Sequence, residues 1–294
     1  MHEAGVLVTG ATGLIGPRLV RKLGKNVAVL SRDAAKAERT VGVKAFRWDG
    51  RGAVPEEALE GVGTVFHLAG EPVAGSRWTD EKKASIRESR VLGTRALVGS
   101  IAGRAIELVS ASAVGFYGDR GDELLDEDSP PGRSFLADVC KEWEAEANAH
   151  TGRVVTVRIG VVLAKDGGAL GTMLPLFKTG IAGRLGNGKQ WMPWIHVDDL
   201  VALLVHATEE RVTGPLCGTA PEPVTNATFT KALGKVLHRP TILAAPAFAL
   251  RLALGEMAEI VLASQRVVSK KAETTGFVFR HRTLDGALQE LLGS

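Results

Sequence analysis

Val8-Thr9-Gly10-Ala11-Thr12-Gly13-Leu14-Ile15-Gly16 decides how this chain is read. Its glycines recur at every third position, between an apolar β-rich run (6–8) and a stretch with helical character (14–23). A β-carbon at Gly10 or Gly13 would block a tight turn and the close approach of a pyrophosphate, whereas a glycine at Gly16 lets the helix pack against the strand. The free N–H groups and positive dipole end of that helix suit phosphate. The plainer alternative is a tight strand-to-helix turn with no ligand.

Outward from this loop, β-rich runs at 26–30, 43–47, 64–68, 106–110 and 154–159 alternate with helical stretches such as 82–101 and 135–150. That alternation predicts an α/β fold, a doubly wound parallel sheet whose ligands bind at the carboxyl ends of the strands. After Val162 the texture changes to glycine-rich loops and aromatic segments. Residues 1–165 therefore read as a nucleotide-binding core and 166–294 as a smaller C-terminal substrate lobe. The stretch 199–220 is expected to return to the core. The apolar region 247–268 reads as one long helix region, either lobe core or the interface of a homodimer.

The second strand ends Leu30-Ser31-Arg32. A site for NAD usually has an acidic residue here, holding the ribose 2′-hydroxyl. Ser31 and Arg32 instead suit a 2′-phosphate, which a guanidinium can pair and a carboxylate would repel. The expected cofactor is NADP(H), with Asp33 as a competitor for Arg32.

The chain has 294 residues, 45% hydrophobic, and a formal charge of +3 from 36 Lys+Arg against 33 Asp+Glu. So small an excess predicts no nucleic-acid partner. Cys140 and Cys217 are the only cysteines, which excludes a disulfide framework and a Cys-x-x-Cys metal site and fits a reducing, cytoplasmic setting. No secretory signal and no membrane span is read, since the longest apolar region is interrupted by Pro246, Arg251, Glu256 and Glu259. The acidic run from Asp119 to Asp128 reads as a solvated loop, without the ligand spacing of a calcium site. No metal ligands are assigned.

The sequence resembles the extended short-chain dehydrogenase/reductases, the NAD(P)-dependent epimerase/dehydratase group. The matching pieces include 9–16, His67-Leu68-Ala69-Gly70, Ser110-Ala111-Ser112, Tyr117-Gly118-Asp119 and His196-Val197-Asp198-Asp199. Ala69-Gly70-Glu71-Pro72, Arg77-Trp78-Thr79 and Trp194-Ile195-His196 look like an atypical branch whose reaction is unsettled. The resemblance implies a Rossmann-type core and a cofactor lining. Gly10, Thr12, Gly13, Leu14, Ile15 and Gly16 would face the pyrophosphate, Ser31 and Arg32 the 2′-phosphate, and Asp49 the adenine. Leu68, Ala69 and Gly70 would flank the ribose. Arg90, where the group usually has Asn, would contact phosphate or ribose, and Ser110 and Val162 would lie near the nicotinamide.

The group's usual acid/base is Tyr-x-x-x-Lys on a helix, whose ammonium lowers the phenol's pKa so that it can pass a proton as hydride moves. Here the corresponding place reads Phe135-Leu136-Ala137-Asp138-Val139, and the chain's single tyrosine is Tyr117. Two readings follow. In one, the protein is an NADP(H)-dependent oxidoreductase or epimerase acting on an unknown small substrate, such as a sugar nucleotide or a carbonyl compound. Ser112 and Tyr117 are then the candidate catalytic residues, with Glu71 and His196 behind them. In the other, it binds NADP(H) without hydride chemistry, as a sensor or partner-binding module. Serine-hydrolase, zincin and P-loop signatures are absent. Trp78, Trp191, Met192 and Trp194 read either as walls of a substrate pocket or as core beneath long loops.

Overall fold

The structure, a computed structural model, describes residues 5–293. Seven strands form one sheet: β1 (Gly5–Thr9), β2 (Val27–Ser31), β3 (Ala45–Arg47), β4 (Val62–His67), β5 (Glu107–Ala113), β6 (Val154–Ile159) and β7 (Gly214–Gly218). Their order is β7-β6-β5-β4-β1-β2-β3, and every pairing is parallel. The winding reverses between β1 and β4, which leaves a crevice beyond their carboxyl ends.

Helices cover both faces, so successive strand residues are buried on opposite sides. Val8, Val29, Phe66 and Val157 pack with Leu19 of α1 (Gly16–Leu23) and Leu200 and Leu204 of a later helix, Val197–His206. Leu7, Leu30, Val65 and Leu108 point the other way, onto Leu97 and Ile101 of a helix spanning Asp80–Ile101. The helix α1 begins at Gly16, two residues later than its apolar pattern suggests. Pro17 falls in its first turn, where a missing N–H costs nothing. The next helices are α2 (Ala34–Val41), capped by the Asp33 carboxylate on Lys36 N, then α3 (Asp80–Ile101), capped by Thr79. Next is α4 (Phe135–Asn148), capped by Ser134.

A separate apolar cluster forms among the later elements, with Leu170, Leu174, Phe177, Trp194, Phe229, Leu233 and Leu288. The apolar region 247–268 is not one helix. Helix Ala247–Leu254 stops at Gly255, whose φ of +62° favours glycine, and a 3-10 turn, a single helical turn and the short strand Arg266–Val267 follow. That strand pairs with Leu124–Leu125, in the middle of the acidic run. Glu127 is therefore buried, accepting Cys217 N at 2.9 Å and Lys271 N at 3.2 Å, while Asp122 and Asp128 stay exposed. Only part of the run is the solvated loop its composition suggested. Among the described residues, no helix is long and apolar enough to cross a membrane.

Candidate functional site

A cleft of about 720 Å³ lies beyond the carboxyl ends of β1, β2 and β4. It gathers Gly10, Thr12, Gly13, Ser31, Arg32, Asp49, Leu68, Ala69 and Gly70 on one surface. The glycines differ in why they are glycine. At Gly10, φ is +69° and a Cβ would lie 2.7 Å from the Leu68 carbonyl carbon. At Gly16 it would lie 2.5 Å from the Ala11 backbone, so this residue sets the approach of α1 to the loop. At Gly13 a Cβ would meet only Gly10 O at 3.4 Å. Protein packing does not require that glycine; the room before it belongs to the cleft. A pyrophosphate-sized anion suits such a cradle at the start of α1, whose first turn has no side-chain cap.

Beneath the loop, a hydrogen-bond chain joins β1, β4 and α3. Thr9 Oγ accepts from Leu68 N and Ala69 N, both at 3.1 Å, and so donates its own proton to His67 Nδ1 at 2.8 Å. His67 Nε2–H is left to donate to Thr94 Oγ at 3.0 Å. The histidine is wholly buried, and burial holds its pKa down at about 4. This neutral imidazole fixes the strand end on which Leu68 and Ala69 sit.

At the end of β2, Ser31 and Arg32 face the cleft. Asp33 does not compete for Arg32; its carboxylate caps α2. Asp49 is also committed, accepting Arg51 N at 2.8 Å and Gly52 N at 3.0 Å, which hold its pKa below the usual carboxylate value.

Other expected cofactor contacts lie behind this surface. Arg90 donates to Glu71 O (2.9 Å) and Ile86 O (3.1 Å) and lies over the Trp143 ring, so it buttresses Gly70 and Glu71 from below. Ser110 is fully buried inside β5. Leu14 and Ile15 are half-buried, and Ile15 packs against the sheet core. Val162, also half-buried, pairs with Ile195 and packs against that core.

The two expected catalytic hydroxyls meet around one buried guanidinium instead of opening into the cleft. Arg158, 4% exposed, forms a two-pronged pair with Glu144, both bonds 2.9 Å, and lies 3.6 Å over the Phe116 ring. Ser112 donates to the same Glu144 at 2.6 Å. Tyr117 has no exposed surface; its hydroxyl donates to Asp126 O at 2.8 Å and accepts from Arg158 at 3.0 Å, with Cys217 Sγ at 3.1 Å. Burial pushes this phenol well above its ordinary pKa, against the pull of Arg158. The expectation that Tyr117 acts as the nearest titratable hydroxyl gives way to a locking role inside this network. One signal could have revealed it: Arg158 is the one charged residue of its strand, set between Val157 and Ile159, and a buried charge demands a buried partner.

Two further expectations change. Phe135 and Val139 on α4 are covered by the segment after β4, with Trp78, itself 9% exposed, packed on Phe135. Trp78 and the fully buried Trp194 are thus core, not pocket walls; Trp191 is half-buried, with its indole N–H on Asp122. His196 is 1% exposed, its Nδ1 accepts Asp198 N, and its ring stacks on His281. It holds helix Val197–His206 and is not among the cleft-lining residues. Among the four candidate proton carriers, only Glu71 lines the cleft. Its carboxylate is 2.6 Å from Lys82 Nζ, and its backbone is pinned by Ser89 and Arg90. Sequence spacing had not linked Glu71 with Lys82.

Comparison with known proteins agrees with this geometry. The NAD dependent epimerase/dehydratase family pattern matches residues 6–216, and a domain of unknown function, DUF1731, matches 245–291. The epimerase family protein SDR39U1 homolog, chloroplastic, of Arabidopsis thaliana is 42% identical over 98% of this chain and 86% of its own. Epimerase family protein YfhF of Bacillus subtilis is 37% identical over 98% and 97%. The crystal structure of human epimerase family protein SDR39U1 (isoform 2) with NADPH superposes with a TM-score of 0.88 at 32% identity, covering 98% of both chains.

Proposed function

The chain belongs to the NAD dependent epimerase/dehydratase family, and from that premise we propose that it is an NADP(H)-dependent oxidoreductase or epimerase acting on a small sugar-nucleotide or carbonyl substrate. The observation that carries the cofactor choice is the end of β2. Ser31 and Arg32 face the cleft there, while the nearby carboxylates of Asp33 and Asp49 are tied into local backbone turns. The solved human relative bound to NADPH supports this reading.

Gly10, Gly13 and the start of α1 would take the pyrophosphate, Ser31 and Arg32 the 2′-phosphate, and Leu68 to Gly70 the ribose. The nicotinamide supplies hydride acceptance or delivery when bound. The chain lacks the Tyr-x-x-x-Lys pair, since Phe135 and Val139 can neither carry a proton nor offer a charge. We assign the proton-carrying role to Glu71, the part-buried carboxylate that Lys82 holds at the cleft wall. The closing of α4 beneath Trp78 also favours a second reading, in which the fold binds NADP(H) and does no redox chemistry.

The test is direct. Arg32→Ala should cost roughly 1.5–3 kcal/mol of NADPH affinity and leave NADH nearly unchanged; equal losses refute the assignment. Absorbance near the reduced-nicotinamide band, followed with NADP⁺ and a panel of sugar nucleotides and carbonyls, separates the two readings. Turnover that survives Glu71→Gln would remove Glu71 from the chemistry.

A further inference from the structure

The β2 and β3 exits run side by side: Ser31 pairs with Arg47, and Trp48 N donates to Ser31 O at 2.9 Å. A few residues on, the Asp49 turn, with Gly50 at φ +81°, brings Arg51 into the lining of the cleft that Arg32 also lines. Arg51 does not reach back to Asp49 with its guanidinium. It forms a 3.0 Å ion pair with Glu88 of α3, which also lines the cleft. Both side chains are substantially exposed, 73% and 46%. An exposed pair of this kind contributes little to folding, so folding does not account for a charge pair in the cleft lining.

Resting on the NADP(H) reading above, we infer that Arg51 is a second 2′-phosphate ligand and that Glu88 is the charge it exchanges for that phosphate. A phosphate dianion between Arg32 and Arg51 gains two charge-assisted contacts, and its arrival releases Arg51 from Glu88. Glu88, left near the phosphate, repels it and sets a ceiling on affinity. Arg51 and Glu88 are therefore specificity-determining residues, one favouring and one opposing the phosphorylated cofactor.

Four proteins test this by titration with NADPH, NADH, 2′,5′-ADP and 5′-ADP: wild type, Arg51→Ala, Glu88→Gln and the double variant. Arg51→Ala should weaken NADPH and 2′,5′-ADP about tenfold, and change NADH and 5′-ADP less than twofold. Glu88→Gln should tighten the two 2′-phosphorylated ligands about threefold, and in the Arg51→Ala background the same change should gain less, because only the repulsion is then left to relieve. Losses of equal size for all four ligands would make Arg51 an adenine-packing residue and overturn the inference, as would unchanged NADPH affinity. Wild-type protein that binds neither dinucleotide would instead sink the cofactor reading on which the inference rests. Matching thermal melts across the series confirm that the variants remain folded.

Discussion

The indole of Trp78 stands edge-on to the ring of Phe135, their centroids 5.3 Å apart and the planes at 65°. Lys83 and Arg87 lie over the same phenyl ring, and Val139, one turn along α4, is 1% exposed. The α4 face carrying Phe135 and Val139 is packed under the Trp78 segment, with Val139 buried and Phe135 half-buried. Phe135, Val139 and the segment bearing Trp78 form one packed unit.

A charge introduced at Val139 should therefore damage the fold. Val139→Lys places an ammonium among Trp78, Ile86 and Phe135, which should cost at least about 3 kcal/mol in urea denaturation. The loss should shrink as the pH is raised, because an apolar site favours the neutral amine. An equal loss at pH 6 and pH 9 would assign the effect to side-chain size.

Gly13 and Gly16 should respond in opposite ways to alanine. Gly16→Ala drives a Cβ to within 2.5 Å of the Ala11 backbone, and its melting temperature should fall by several degrees. Gly13→Ala meets only Gly10 O at 3.4 Å and should melt close to wild type. Its NADPH affinity should drop at least tenfold, because the new methyl enters the cradle. Wild-type NADPH binding by a folded Gly13→Ala protein would show that the phosphates lie elsewhere.

His67 should make the fold acid-sensitive. Its folded-state pKa, about 4, lies below the unfolded value near 6.5, so the unfolded chain takes up the proton first. The full contribution is present above pH 6.5 and is lost as the pH falls toward 4, about 3 kcal/mol in all. Urea midpoints across that window should show the slope, and His67→Gln should flatten it by about one proton. NADPH affinity should fall with that variant, since the Thr9–His67–Thr94 chain holds Leu68 and Ala69 in place.

Local chemistry made the sheet and the glycine loop legible. Gly10 and Gly16 are dictated by contacts within a few residues or across one strand pair. Arg32 was readable because strand ends sit at predictable distances from the loop. What escaped the sequence was set by contacts between distant segments. Tyr117 meets Cys217 across a hundred positions, and Arg77 reaches the carbonyls of Leu252 and Ala253. Hydropathy averaged Gly255 into a helix that its backbone interrupts. The fate of Ser112 turned on a carboxylate 32 positions away that also serves Arg158.

One edge strand of the sheet, Gly214–Gly218, comes from well beyond the cofactor cleft's own stretch of chain, yet it pairs residue by residue with 155–159. A fragment ending near residue 165 would strip that neighbour away and bare a row of unsatisfied amides and carbonyls on a strand whose flanks are Val155 and Val157. Such a rim recruits other chains. Attempts to shorten this protein to its cleft should therefore yield self-adhering material, whereas circular rearrangements that keep both segments together should stay dispersed.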